Sequence, residues 1–235
     1  MTQADIEILD KTLPLRRVQK LIGTLMTQSK HRQPCCYMRV RIDMVNLIKA
    51  RKSYYKATKV RATTNDFFFY AISLAVKKYP RMAARLDEAG ENVYIPNEVG
   101  VGFAVAASQG LVVPVIKNVT EKTLPQIAAD SAALLKKARA NKLTLDDFEG
   151  ANISFSSLGM FGVDSFIAIP PPKVTGVISA GRLIDTAIPI DGQIVRRKTM
   201  KLTLAVDQRI VTEFYAAKFM NHITQQLQNP ETLTA

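Results

Sequence analysis

Apolar positions recur at helical spacing in Leu13–Ser29, where Leu15, Val18, Leu21, Ile22, Leu25 and Met26 fall on one side. The spacing predicts a helix, and Pro34 predicts the break after it. Cys36–Ile42 alternates, with Met38, Val40 and Ile42 on one face and Tyr37, Arg39 and Arg41 on the other, which is strand spacing. Met44–Ala57 is a lysine-rich surface helix. Asp66–Lys78 is apolar nearly all round and predicts a buried helix capped by Thr64. Pro80 makes a natural stop before Arg81–Leu86. Strands are predicted over Val93–Ile95, Val101–Ala107 and Gly110–Ile116, the last with Pro114 at an edge or a bulge. Thr123–Ala140 is an amphipathic helix, and Leu145–Phe148 precedes Gly150. Ile153–Ser157 and Val174–Ala180 are core strands. Ile188–Val195 is a hairpin, because Asp191-Gly192 suits a tight turn needing positive φ. Met200–Asp207 alternates as a strand, and Glu213–Gln228 is the final helix. Strands and helices mixed without strict βαβ order predict an α+β fold, or a mixed-sheet sandwich.

Composition narrows this little. The 235 residues, 47% hydrophobic and 22% charged, suit one large domain or two small ones. No repeat, low-complexity tract or linker divides them. No apolar run is long enough to span a bilayer, so no membrane role is expected. The first residues lack the basic head and apolar core of a secretory signal. The two cysteines, Cys35 and Cys36, are adjacent and point to opposite faces of a strand, so a reducing, cytoplasmic setting is expected.

The net charge of +12 is spread along the chain from Arg16 to Lys198. It forms no compact cluster with interleaved aromatics, so no nucleic-acid partner is expected. A positive surface suits anionic ligands such as coenzyme A, or an acidic carrier domain.

The stretch Leu202–Phe214 carries the most specific pattern: Asp207-Gln208-Arg209-Ile210-Val211-Thr212-Glu213. It resembles the signature of the dihydrolipoamide acyltransferase cores of 2-oxo acid dehydrogenase complexes, which reads Asp-His-Arg, two apolar residues, then Asp-Gly. Further ordered segments resemble the same family. They are Pro14–Ile22, Thr64-Asn65-Asp66-Phe67 through Lys78 and Pro80, Gly110–Ile116, Ile153–Gly162 with its Ser-Ser-Leu-Gly-Met-Phe-Gly run, and Asn229–Thr232. The resemblance implies a single chloramphenicol acetyltransferase-like domain over 13–235, a mixed sheet flanked by helices. Residues 1–12 are left as an N-terminal extension too short to hold a lipoyl or peripheral-subunit-binding domain. It also implies a homotrimer with a site at each subunit interface and a coenzyme A or lipoyl thioester as substrate. No covalent cofactor and no metal are implied.

The departures from the signature carry the functional reading. Family His falls on Gln208, the second Asp on Thr212 and Gly on Glu213. The oxyanion-donating Ser falls on Ser156, which can still donate a hydrogen bond or can serve simply as a strand residue. A carboxamide cannot accept a thiol proton near neutral pH. The family Arg that pairs with the second Asp falls on Gln19, with Arg17 or Arg16 as the alternative position. In that alternative, Glu213 would be the arginine's partner. His31 and His222 lie outside family catalytic positions and read as surface histidines. Cys35 is a candidate nucleophile if its thiol is activated; the plainer expectation for Cys35 and Cys36 is a small buried hydrophobe.

Three functions follow from the resemblance. The first is a pseudoenzyme-like member, impaired in coenzyme A and lipoamide transfer and kept as a ligand-binding or repurposed site. The second is an active acyltransferase with an unusual acceptor, using Ser156. The third is a structural subunit co-assembling with an active paralogous acyltransferase. The nearly polar ending Leu233-Thr234-Ala235 predicts trimers that do not join a larger core.

Overall fold

The computed structural model describes residues 12–15, 17–107 and 110–234, with nothing stated of the Val18 side chain. Most of the N-terminal extension, and Arg16, therefore lie outside the described residues. Among the described residues, six helices and eleven strands make an α+β domain. The helices are α1 (Arg17–Arg32), α2 (Val45–Thr58), α3 (Thr64–Lys78), α4 (Leu124–Arg139), α5 (Glu213–Gln228) and α6 (Glu231–Thr234). The strands are β1 (Cys35–Asp43), β2 (Arg85–Leu86), β3 (Val93–Tyr94), β4 (Gly100–Phe103), β5 (Val105–Ala107), β6 (Gly110–Val112) and β7 (Val115–Ile116). They continue with β8 (Ala151–Ser157), β9 (Gly176–Ala180), β10 (Ile184–Ile190) and β11 (Gln193–Asp207).

The main sheet runs β1-β11-β9-β8-β4-β7, with β10 hairpinned onto β11. Its β4–β8 and β8–β9 pairs are parallel and the rest antiparallel. Alternation divides its two faces. Ile42, Leu202, Leu204, Val206, Ile178 and Phe155 enter the core. Tyr37, Arg39, Thr203, Ser179 and Ser156 occupy the other face through their register.

Helix α3 fills the core with Phe67, Phe68 and Phe69. Phe68 stacks on Phe155 at 5.1 Å and Phe69 meets it edge-on at 5.5 Å. The cap of α3 is Thr63 rather than Thr64. The Thr63 hydroxyl accepts from Asp66 N at 3.3 Å and Asp66 Oδ2 accepts from Thr63 N at 2.6 Å, a reciprocal capping box. Asp66 also accepts from Ser131 of α4 at 2.5 Å, which ties the two helices together.

Four further boundaries differ from the expected ones. Helix α1 begins at Arg17, not Leu13, and continues to Arg32. The run over Val101–Ala107 divides at Ala104, whose N–H bonds Phe155 O while β5 turns away to pair with β6. Gly110–Ile116 divides at Pro114, which has no N–H to give a ladder, into β6 and β7. The predicted hairpin and the Met200–Asp207 strand are one continuous β11, joined to β10 through Asp191 (φ 49) and Gly192 (φ 77).

Candidate functional site

The turn from β11 to α5 holds most of the candidate residues. Asp207 ends the strand, fully buried, and its carbonyl accepts from the N–H groups of Ile210 and Val211. Ile210 and Val211 are themselves buried and pin the turn to the core. Asp207 Oδ2 takes Arg209 Nη2 at 2.6 Å, and Oδ1 takes Arg209 N and Nε at 3.0 Å each. Its charge is thus neutralised within the turn.

Gln208 points outward, exposed, its N–H held by Pro34 O at 2.9 Å. Its side-chain amide donates to Glu213 Oε1. Thr212 caps α5 by accepting from Tyr215 N at 3.4 Å. Glu213 lies in the first helical turn, where a carboxylate complements the helix dipole. Gln208, Thr212 and Glu213 are therefore brought together by a five-residue turn. Glu213 is met by Gln208; of the alternative arginine positions of the opening helix, Arg16 lies outside the described residues. Arg17 is exposed on α1, and Gln19 makes an interaction of its own.

The two thiols sit beside this turn because β1 pairs with β11, Cys35 opposite Asp207. Both are half-buried rather than fully buried. Burial and then the Asp207 charge push the Cys35 thiol up to about 11. Burial and then Glu213 push Cys36 up. The activated-thiol expectation for Cys35 is thus corrected: its surroundings hold it protonated. His31 is exposed in the last turn of α1. His222 is not a surface residue; it is half-buried, 5.9 Å from the Tyr79 ring, and burial lowers its pKa.

Ser156 is the other candidate position. It sits partly buried near the end of β8, paired across the strands with Ser179 of β9. Ser179 in turn faces Thr203 of β11, so Ser156 lies level with Thr203, four residues before Asp207. That offset is roughly 13 Å along the strands and two strand spacings, roughly 10 Å, across them. Ser156 and Gln208 thus stand about 16 Å or more apart in one chain. Two surface clefts lie away from both, one among Lys117, Lys122, Lys137, Asp130 and Asp146, the other beside Arg85 and Glu98. Among the described residues no cluster of three His, Cys, Asp or Glu could hold a metal ion. No helix there is long and apolar enough to cross a membrane.

Sequence reasoning read Pro34 only as a helix break and missed its bond to Gln208, and it missed Ser179. Pro34 holds the Gln208 backbone through its carbonyl. Ser179 is the buried neighbour of Ser156, and its hydroxyl has no hydrogen-bond partner among the described residues. Both depend on strand pairing between distant segments, which local patterning does not encode. A serine opposite an apolar Ile178 in an otherwise buried strand is the signal that was present for Ser179.

The family described as "2-oxoacid dehydrogenases acyltransferase (catalytic domain)" matches residues 8–235. The dihydrolipoyllysine-residue acetyltransferase component of the pyruvate dehydrogenase complex of Rickettsia conorii is 30% identical over 224 residues, 94% of this chain and 54% of the relative. The mitochondrial pyruvate dehydrogenase protein X component of Mus musculus is 29% identical over 226 residues, 94% of this chain and 44% of the relative. The chain spans about half the length of the curated relatives it matches. A solved structure of the Azotobacter vinelandii dihydrolipoamide acetyltransferase superposes with TM-score 0.88 and 27% identity, covering 96% of this chain and 94% of that one. That structure concerns the roles of a serine, a histidine and an asparagine in its catalytic mechanism. A chloramphenicol acetyltransferase at 12% identity and TM-score 0.53, covering 87% of this chain and 94% of that one, shares the fold.

Proposed function

This chain belongs to the 2-oxoacid dehydrogenases acyltransferase (catalytic domain) family, and from that membership we propose a site that binds acyl thioesters but lacks the base for conventional coenzyme A and lipoamide transfer. The observation that carries the reading is Gln208, whose amide is committed to Glu213. In the Azotobacter vinelandii relative the named histidine follows the named serine by 52 positions, and the asparagine follows the histidine by four. Here Gln208 follows Ser156 by 52 positions and Thr212 follows Gln208 by four. The matching intervals support carrying the three roles to these positions. A thiol must lose its proton to attack a thioester, and neither an amide nor a hydroxyl takes it near neutral pH.

Ser156 keeps the capacity to donate a hydrogen bond to a developing oxyanion. Its distance from Gln208 within one chain supports a site completed between neighbours in a homotrimer. The basic surface fits coenzyme A phosphates or an acidic, lipoyl-bearing carrier. In the test, purified protein is offered acetyl-coenzyme A and dihydrolipoamide. Transfer is expected to be slow, and a Gln208→His, Thr212→Asp double variant is expected to raise it about a hundred- to ten-thousand-fold. A wild-type rate equal to that of the double variant refutes the reading.

A structural role beside an active paralogous acyltransferase is the second reading. It is favoured by the mouse relative, named as a component rather than as a transferase. Co-purification with a histidine-bearing acyltransferase supports this role. A homotrimer isolated alone from the native host counts against it.

A further inference from the structure

Ser156 stands in a row of hydroxyls that crosses three strands: Ser156 on β8, Ser179 on β9 and Thr203 on β11, each the register partner of the next. Facing residues on neighbouring strands project from the same side of a sheet, with the strands about 4.8 Å apart. That spacing is within reach of a bond between two hydroxyls. The other flank of Ser156 offers no such group, because β4 pairs with β8 through Phe103 and Phe155 and runs on to Ala104.

The members of the row differ in what they have to give. The Thr203 hydroxyl donates to Phe166 O, so its one proton is committed and none is left for Ser179. Ser179 is 2% exposed, and its Oγ has no hydrogen-bond partner among the described residues. A buried hydroxyl left unpaired is destabilising. Its proton has two oxygens beside it, Thr203 Oγ1 and Ser156 Oγ. Ser156 becomes the better acceptor when it donates, because a hydroxyl whose proton is drawn to an oxyanion gains electron density on its own oxygen.

Resting on the reading of Ser156 as the oxyanion donor, we infer that Ser179 is its positioning residue: the Ser179 hydroxyl donates to Ser156 Oγ while Ser156 donates to the carbonyl oxygen of a bound thioester. No proton is transferred in this arrangement. Two O–H groups point the same way along the row, and each strengthens the next. Ser179 is buried and touches no ligand, whereas the partly buried Ser156 is the end of the row that a ligand reaches.

Ser154 supplies the control. It is 3% exposed, equally without a partner, and on the same face of β8. It lies two residues from Ser156, about 6.6 Å along the strand and out of hydrogen-bond reach. The experiment is infrared difference spectroscopy of isotope-labelled acetyl-coenzyme A bound to the protein, whose carbonyl band reads the hydrogen bond to the thioester oxygen without any turnover. Binding is expected to lower the band in the wild type, and Ser156→Ala to abolish that shift. Ser179→Ala is expected to shrink the shift by about 10–30%. Ser179→Thr, which keeps a hydroxyl, is expected to retain it, and Ser154→Ala to leave it unchanged. A full shift in Ser179→Ala, a Ser179→Thr shift as weak as that of Ser179→Ala, or an equal loss in Ser154→Ala overturns the role of Ser179 and leaves that of Ser156 standing. A band that binding does not move, or that Ser156→Ala does not restore, overturns Ser156 as the donor and the inference with it. Failure of acetyl-coenzyme A to bind overturns the thioester site itself.

Discussion

Arg209 answers a buried carboxylate. Asp207 is fully buried and takes three hydrogen bonds from Arg209 at 3.0 Å or less, two of them from the guanidinium. Removing that guanidinium leaves a buried charge with only a backbone N–H from the same residue. Hydrogen bonds to charged groups contribute about 1.5–3 kcal/mol each, less where solvent reaches the partner. Arg209→Ala is therefore expected to cost about 1–3 kcal/mol, read as a lower urea midpoint at unchanged slope. Cys35 gives a residue-scale prediction in pH. Its thiol rises from 9.0 in the open chain to about 11 in the fold. A raised value means the folded state prefers the protonated form. The stability this contributes is complete below about pH 9 and is lost as pH climbs toward 11. Cys35→Ser should flatten the pH dependence of thermal stability within that window and leave it unchanged at pH 7.

Local pattern and long-range pairing divide the elements between them. Period-2 alternation located β1 and the end of β11, and the helical period located α3, α4 and α5, because each buries one face or all of itself. The Asp191-Gly192 hairpin was legible because positive φ needs those residue types. The breaks at Ala104 and Pro114 were not, because they depend on which neighbour each short strand finds. Thr63 and Thr64 are equally good caps by residue type, and only the geometry of Asp66 separates them. The consequence for α3 is measurable: Thr63→Ala should cost about 1 kcal/mol in chemical denaturation, and Thr64→Ala much less. At the site, Gln208, Thr212 and Glu213 were legible as a group because they fall within one stretch that resembles the family signature. The effect of the Glu213 charge on Cys36 was not, since the β1–β11 ladder brings them near each other.

For the whole molecule, the surface of the isolated chain is unfinished. Helix α1 leaves Leu21 59% exposed and Leu25 36% exposed, with Tyr37 of β1 48% exposed. Met160, Phe161 and Phe214 are more exposed still. Apolar surface on this scale is covered in stable proteins by a partner, and copies of the same chain are the expected one. Multi-angle light scattering should return the mass of three chains, and Leu21→Lys with Leu25→Lys should lower it.

The placement of Ser156 and Gln208 toward opposite ends of strands in one sheet has a further consequence. If the proposed site is shared between chains, a reaction needing both side chains together needs two polypeptides. Its specific rate should fall on dilution, as associated chains come apart. Two inactive variants, each spoiled in a different half, should recover some turnover when denatured together and renatured as a mixture.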